Sequence, residues 1–385
     1  MEVSIIIVNY RVKYFLEQTI LSAKEALVGF QGEIIVIDND SCDDSIHFLR
    51  ERFPDVVFIE NKENIGFARA NNIGINESTG KFVLILNPDT IITKDTISDC
   101  MNWMKNHDDC GAIGVKMLDG NGSFLPESKR SFPTPWVSFC KIFGLSKLFP
   151  YSQHFAKYHL LYLSTDEPHK VDILSGAFMF VRSEVLKKVK GFDSDFFMYG
   201  EDIDLSYRMI KEGYNNYFLP TSIIHYKGES TKKDSMKYVQ VFYDAMLIFY
   251  KKHYPHYSYA YGIFIRAGIL IRALIAAQKR FFLKLVCPLK AGISEPTKWC
   301  IVSDNSREIE QAIELGTNDS ISTINLENLN DYISLHNDLD VIFDNRDYSY
   351  KEIVRMIEKN SQNGVRFHIF SGQNGMIISP KSNVL

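Results

Sequence analysis

The stretch Val3-Ser4-Ile5-Ile6-Ile7-Val8, closed by Asn9-Tyr10, decides how the rest of the chain is read. A short run of β-branched residues bounded by a polar pair reads as a buried strand, because it is too brief for a helix. Helical spacing follows from Tyr14 to Ala26, and then Glu33-Ile34-Ile35-Val36-Ile37 repeats the first run, ending in Asp38-Asn39-Asp40-Ser41. Strands separated by helices of this length predict parallel βαβ units.

The alternation continues outward. A helix is expected near 43–52, a strand at 56–59, a helix near 67–78 and a strand at Phe82-Val83-Leu84-Ile85-Leu86. From 117 to 170 the periodicity fades into loop, including Lys129-Arg130-Ser131-Phe132-Pro133-Thr134-Pro135-Trp136, and it returns at 171–181 as a strand pair or one buried strand. A helix over 183–189 stops at Gly191, and apolar residues at helical spacing predict another over 235–253. After Lys290 a new alternation starts, with strands at 299–304, 340–344 and 366–370 and helices at 307–315 and 349–360. No GxGxxG follows its first strand, so this appendage carries no dinucleotide signature.

Composition bounds the class. The 385 residues are 45% hydrophobic and 23% charged, as in a globular protein with a sizeable core. A net charge of −4 provides no global field for nucleic acid. The six cysteines show no metal-ligand spacing, which suits a reduced compartment, and the N-terminus lacks a basic region with a cleavage site. A cytoplasmic location is therefore expected. From Ala245 to Ser294 there is no Asp or Glu, whereas from Glu295 onward acids outnumber bases. The Tyr-rich segment 257–285 is interrupted by Arg266 and Arg272, short of the ~18 apolar residues of a spanning helix. It is expected either to pack on the preceding domain or a second subunit, as in a homo-oligomer, or to lie as a basic amphipathic helix on an anionic membrane surface. Three regions result: a domain over 1–250, a basic helical extension over 251–292 and a small α/β domain over 293–385.

In open α/β sheets ligands bind beyond the carboxyl ends of the strands, and four clusters fall in reach of such positions. At Asp38-Asn39-Asp40-Ser41-Cys42-Asp43 a carboxylate can accept from a base or ribose, the ordinary alternative being a helix cap by Ser41 or Asp43. At Asn64-Ile65-Gly66-Phe67-Ala68-Arg69, the glycine permits a close approach and Arg69 can reach a phosphate, or is simply exposed. Asn87-Pro88-Asp89 places a carboxylate at a rigid turn, suited to a hard divalent cation or merely to the turn itself. In Glu201-Asp202-Ile203-Asp204, after Phe196-Phe197-Met198-Tyr199-Gly200, three carboxylates crowd a helix start, either functionally or solvated by the helix dipole. His225 follows Ile223-Ile224 and by itself reads as structural.

Taken in order, Ser4 to Tyr10, Ile37 to Ser45, Asn64 to Asn72, Leu86 to Asp89, Ser175 to Val181, and Gly191 to Arg208 with His225 resemble the inverting family-2 glycosyltransferases of the GT-A fold, especially the bacterial branch that includes rhamnosyltransferases. The resemblance implies an α/β Rossmann-like mixed sheet. It implies nucleotide-sugar contacts from Asn9, Tyr10, Asp38, Asn39, Arg69, Asn87 and Asp89, with Tyr10 packing on the base. A divalent cation, Mg2+ or Mn2+, falls to Asp89 and His225; with a single carboxylate in the Asn-Pro-Asp element, diphosphate oxygens and water complete its shell. Asp202 becomes the general base, its pKa raised by Glu201 and Asp204, and Gly176, Glu201, Asp204 and Trp136 form the acceptor rim. The expected donor is a UDP- or dTDP-linked sugar such as rhamnose. The expected acceptor is a bacterial surface glycan, free or polyprenyl-linked, at the cytoplasmic face of the inner membrane. The competing class is a catalytically inactive nucleotide-sugar-binding scaffold. A nucleotidyltransferase is disfavoured because no glycine-rich basic loop follows the first strand.

Overall fold

The computed structural model describes residues 1–226, 236–254, 298–313, 320–336, 338–361, 364–372 and 375–380. The opening run is β1 (Val3–Asn9), buried at every position, followed by α1 (Lys13–Ala26), β2 (Gly32–Asp38), α2 (Ser45–Arg52), β3 (Val57–Glu60), α3 (Phe67–Glu77) and β4 (Phe82–Leu86). β3, β2, β1 and β4 lie side by side and parallel, as the βαβ pattern predicts. The chain then adds β5 (Thr90–Ile91), α4 (Lys94–Asn106), β6 (Cys110–Leu118), α5 (Pro135–Ile142), α6 (Leu145–Leu148), β7 (His169–Val171), β8 (Phe178–Arg182), α7 (Ser183–Val189), α8 (Glu201–Lys211), β9 (Asn215–His225) and α9 (Met236–His253). The sheet of the described residues runs β3-β2-β1-β4-β8-β6-β9-β5, with β7 on β9.

β8 enters antiparallel between β4 and β6, so the sheet is mixed. The apolar stretch over 171–181 is not one strand: a turn closed by Phe178 N–H donating to Ser175 C=O separates β7 from β8. The loop-rich region holds two short helices, α5 and α6. Apolar layers fill both faces of the sheet, one around Ile5, Ile7, Val36, Leu84 and Phe180, the other around Ile6, Ile37, Val83, Met179 and Leu205. The order of strand addition reverses at β1: the chain moves outward on one side through β2 and β3 and then returns to place β4, still parallel, on the other side. This is the switch point where an open sheet leaves a crevice.

A second sheet is built from β10 (Lys298–Val302), α10 (Arg307–Ala312), β11 (Ser320–Ile324), α11 (Leu329–Leu335), β12 (Leu339–Asp344), α12 (Tyr350–Lys359), β13 (Val365–Ser371) and β14 (Met376–Ile378). Its order is β11-β10-β12-β13-β14, parallel except for β14. It packs on the first unit: Val12, Phe15, Ile91, Ile224 and Tyr226 share one apolar cluster with Tyr350, Ile353, Val354 and Ile357. Lys116–Glu358 at 2.9 Å and Lys351–Asp95 at 2.8 Å border the contact. Gly122, at φ 80°, is required here, since a Cβ would come within 2.5 Å of Ile357 C=O. Segment 257–285, for which membrane and packing roles were expected, lies outside the described residues. Among those residues no helix is long and apolar enough to cross a membrane.

Candidate active site

The crevice residues are assembled by strand ends. Asn9, fully buried at the end of β1, donates from Nδ2 to Asp38 Oδ1 at 2.7 Å and to Ser41 Oγ at 3.1 Å. Ser41 Oγ donates to the same Asp38 oxygen at 2.6 Å, and its N–H bonds the other. Ser41 therefore orients Asp38 rather than capping α2, whose N-cap residue is Asp44. Asn39 ties β2 to the next loop, with Nδ2 donating to Asn64 and Oδ1 accepting from Asn61 and from the Ile65 N–H. It is 3% exposed, so its role in this structure is to shape the loop. Tyr10 is half-buried beside this network with the Arg11 guanidinium 5.1 Å from its ring centre.

Gly66 precedes α3 at φ 85°, a conformation other residues adopt at a cost, and a Cβ there would meet Phe197 C=O at 2.4 Å. That close approach lets Phe67 N–H donate to Phe197 C=O and pins the loop before α8. Arg69 is exposed in the first turn of α3, its Nε donating to Ser194 C=O at 3.2 Å.

Asp89 and His225 meet across the β5–β9 pair, where Thr90 is opposite His225. His225 Nε2 is 3.3 Å from Asp89 Oδ1 and 3.2 Å from Asn87 Nδ2, and both acidic and imidazole side chains are almost wholly buried. The turn is held from behind by Thr19 Oγ1, which lies 2.8 Å from the carbonyls of both Pro88 and Thr90. Asn87 N–H donates to Ala177 C=O, and the neighbouring Gly176 N–H reaches Asp202 Oδ2 at 3.3 Å. The Asn-Pro-Asp turn and the acidic helix start are thus joined through one short loop.

Asp202 is met by Arg130, whose Nη2 lies 2.5 Å from Oδ2 and 2.6 Å from Leu174 C=O. The Arg130 side chain is buried beside Tyr158; burial is the largest single influence and opposes its charge, but the attraction and hydrogen bonds of Asp202 and Tyr158 together outweigh it and push the pKa up. The expected upward push among the three acids falls on Glu201. Burial first, and the Asp202 charge second, raise it to about 8, and its Oε2 has no hydrogen-bond partner among the described residues. Burial and the neighbouring charge thus favour the neutral form of Glu201. Asp204 is not on a rim: it is fully buried, accepting from Arg208 at 2.7 Å and bonded to His253 at 2.6 Å, which fastens α9 onto α8. Trp136 is 51% exposed, and its ring contacts are with Phe139 and Phe155 rather than with the crevice. Gly176 and Glu201 do adjoin Asp202.

The linkage has a definite sign. Glu201 is raised in the folded state from an ordinary 4.5, so the stability it contributes is complete at low pH and lost as pH climbs from about 4.5 through about 8. Glu201→Gln mimics the neutral acid. Thermal melts from about pH 6 to about pH 9 should show a fall in wild-type Tm that the variant flattens; parallel curves would count against the assignment.

In the sequence Arg130 stands in a loop and His253 at the end of a helical stretch, and neither is marked as a site residue. The available signal is the Lys129-Arg130 pair in a stretch that has no Asp or Glu from Ser128 to Thr165. Lys129 is likewise buried, donating to the carbonyls of Leu160, Leu163 and Ser164, and burial lowers its pKa to about 8.

Residues 4–190 match the family model described as glycosyl transferase family 2. The chain is 25% identical over 272 residues to the N-acetylglucosaminyl-diphospho-decaprenol L-rhamnosyltransferase of Mycobacterium tuberculosis, covering 66% of this chain and 88% of that protein. It is 29% identical over 172 residues to the rhamnosyltransferase WbbL of Escherichia coli, covering 42% of this chain and 61% of that one. Among solved structures, the mannosyltransferase of Pyrobaculum calidifontis in complex with GDP-Man and Mn2+ aligns with TM-score 0.40 at 18% identity, over 58% of this chain and 56% of that chain. Over residues 4–190, just under half of its length, the chain is similar to glycosyl transferase family 2, which marks it as a glycosyltransferase-like protein built on a mixed α/β sheet.

Proposed function

We propose that the protein is an inverting transferase that moves a sugar, such as rhamnose, from a UDP- or dTDP-linked donor to a hydroxyl of a growing bacterial surface glycan. The observation that carries this reading is the placement of Asp202: a carboxylate oriented by Arg130 and the Gly176 N–H, on a loop bonded to the Asn87-Pro88-Asp89 turn. Asp202 takes the proton of the acceptor hydroxyl as its oxygen bonds to the anomeric carbon. The bond from that carbon to the diphosphate breaks in the same displacement, its electron pair leaving with the diphosphate, so the configuration inverts. Asn9 and Asp38 offer a polar, oriented edge to the nucleoside, and Tyr10 a ring face to its base.

Asp89 and His225 fit a hard divalent cation, Mg2+ or Mn2+. An oxygen and a nitrogen donor 3.3 Å apart match neighbouring ligands of a small octahedral ion, about 3 Å apart when bond lengths are about 2.1 Å. No group of three or more His, Cys, Asp or Glu is gathered among the described residues, so donor oxygens and water complete the set. When bound, the cation supplies charge that stabilises the departing diphosphate. The acceptor is proposed to be polyprenyl-linked, in line with the decaprenol-linked acceptor in the name of the mycobacterial relative.

A donor screen with UDP-, dTDP- and GDP-sugars, each with Mg2+ or Mn2+, tests this by nucleoside diphosphate release and by the anomeric configuration of the product. Release with one donor and an inverted product is expected. Neither binding nor hydrolysis with any donor would overturn the reading, and binding without turnover would favour a scaffold.

A further inference from the structure

A second surface stands apart from the crevice. Trp136 stacks on Phe139 with ring centres 5.6 Å apart, and Phe139 contacts Phe143 at 4.6 Å. Trp136 and Phe149 both meet Phe155, at 6.1 and 5.2 Å. These five rings belong to none of the buried apolar clusters of the described residues. Their outer members face solvent: Trp136 and Phe149 are each 51% exposed, and the neighbouring Leu148 and Tyr151 71% and 83%. Half of the exposed large apolar side chains of the described residues lie between Trp136 and Tyr151. Scattered exposed apolar residues need no explanation, but a contiguous aromatic patch does.

Charge indicates what covers it. From Ser128 to Thr165 the sequence has no Asp or Glu, while Lys147, His154 and Lys157 are exposed and Lys141 lies 3.5 Å from the ring centre of Tyr158. Trp and Tyr with lysines alongside suit the boundary between headgroups and acyl chains, where rings bury their apolar body and each cation near an anionic surface adds attraction. We propose that α5, α6 and the turn after them form a docking surface for an anionic lipid bilayer. The surface begins a few residues beyond Arg130, so docking holds the loop that positions Asp202 close to the membrane plane. It goes beyond the transfer reaction and stands whether or not the acceptor is lipid-linked.

Co-sedimentation of the full chain with vesicles tests it without any sugar. Binding to phosphatidylcholine vesicles containing phosphatidylglycerol is expected, weakened by salt, with little binding to phosphatidylcholine alone. The double variant Leu148→Ser/Phe149→Ser should bind about tenfold more weakly or worse, and Lys147→Glu about tenfold more weakly. Both sites are exposed, so Tm and nucleotide affinity should match wild type. No binding by wild type, equal binding to both vesicle types, or undiminished binding by the double variant would overturn the proposal. So would a dimer, seen by light scattering, that the double variant abolishes, since the patch would then cover a second copy.

Discussion

If Asp202 is the base proposed above, Asp202→Asn should lower the rate of sugar transfer by about 10²- to 10⁴-fold, the range in which a positioned base contributes, and leave donor affinity nearly unchanged. The substitution keeps a carbonyl oxygen that can accept from Arg130 and from the Gly176 N–H, so the loop geometry survives while the proton acceptor is lost. Single-turnover rates and calorimetric titration of the nucleotide separate the two quantities. Transfer within a few-fold of wild type would remove Asp202 from the chemistry and leave its contact with Arg130 as structure.

Arg130→Met has the second large effect, and it acts on stability as well as rate. Removing one partner of a buried ion pair strands the other, at about 3–5 kcal/mol. Asp202, with a side chain only 13% exposed, becomes an uncompensated charge, and Leu174 C=O loses a donor. Transfer should fall with it, because nothing else in the described residues fixes Asp202 Oδ2 except the longer bond from Gly176. The double variant Arg130→Met/Asp202→Asn distinguishes the two losses: it should recover much of the stability in urea denaturation, having no stranded charge, yet remain inactive. If Arg130→Met alone unfolds no more easily than wild type, the pair contributes little. If that variant transfers at the wild-type rate per folded molecule, Arg130 does not position the base.

The candidate site was legible in the sequence to the extent that its residues sit at ends of locally predictable elements. Asn9, Asp38, Asn87 and Asp89 follow apolar runs whose length and β-branching mark them as strands, and Asp202 follows a glycine at a helix start. The structure brings Asp89 and His225 to within 3.3 Å of one another, although they are far apart in the chain. The crowding of Glu201, Asp202 and Asp204 was also readable, but not how it resolves. Burial raises the pKa of Glu201, Arg130 pairs with Asp202, and Arg208 and His253 bond Asp204, because each carboxylate meets a different set of neighbours.

By itself the sequence determined the strand and helix alternation from β1 to β4 and part of that in the second unit, though not α4, β5, β6, β11, α11 or β14, together with the positions where polar groups must emerge. These depend on periodicity within a few residues, which side-chain geometry sets locally. Tertiary structure alone decided that β8 runs antiparallel in the middle of the sheet, that Arg130 reaches across 72 residues to Asp202, that Trp136 joins an exposed aromatic patch, and that the second sheet packs behind the strand bearing His225. Those outcomes depend on which buried surfaces and charges find one another once the chain is compact, and local spacing carries no record of partners so distant.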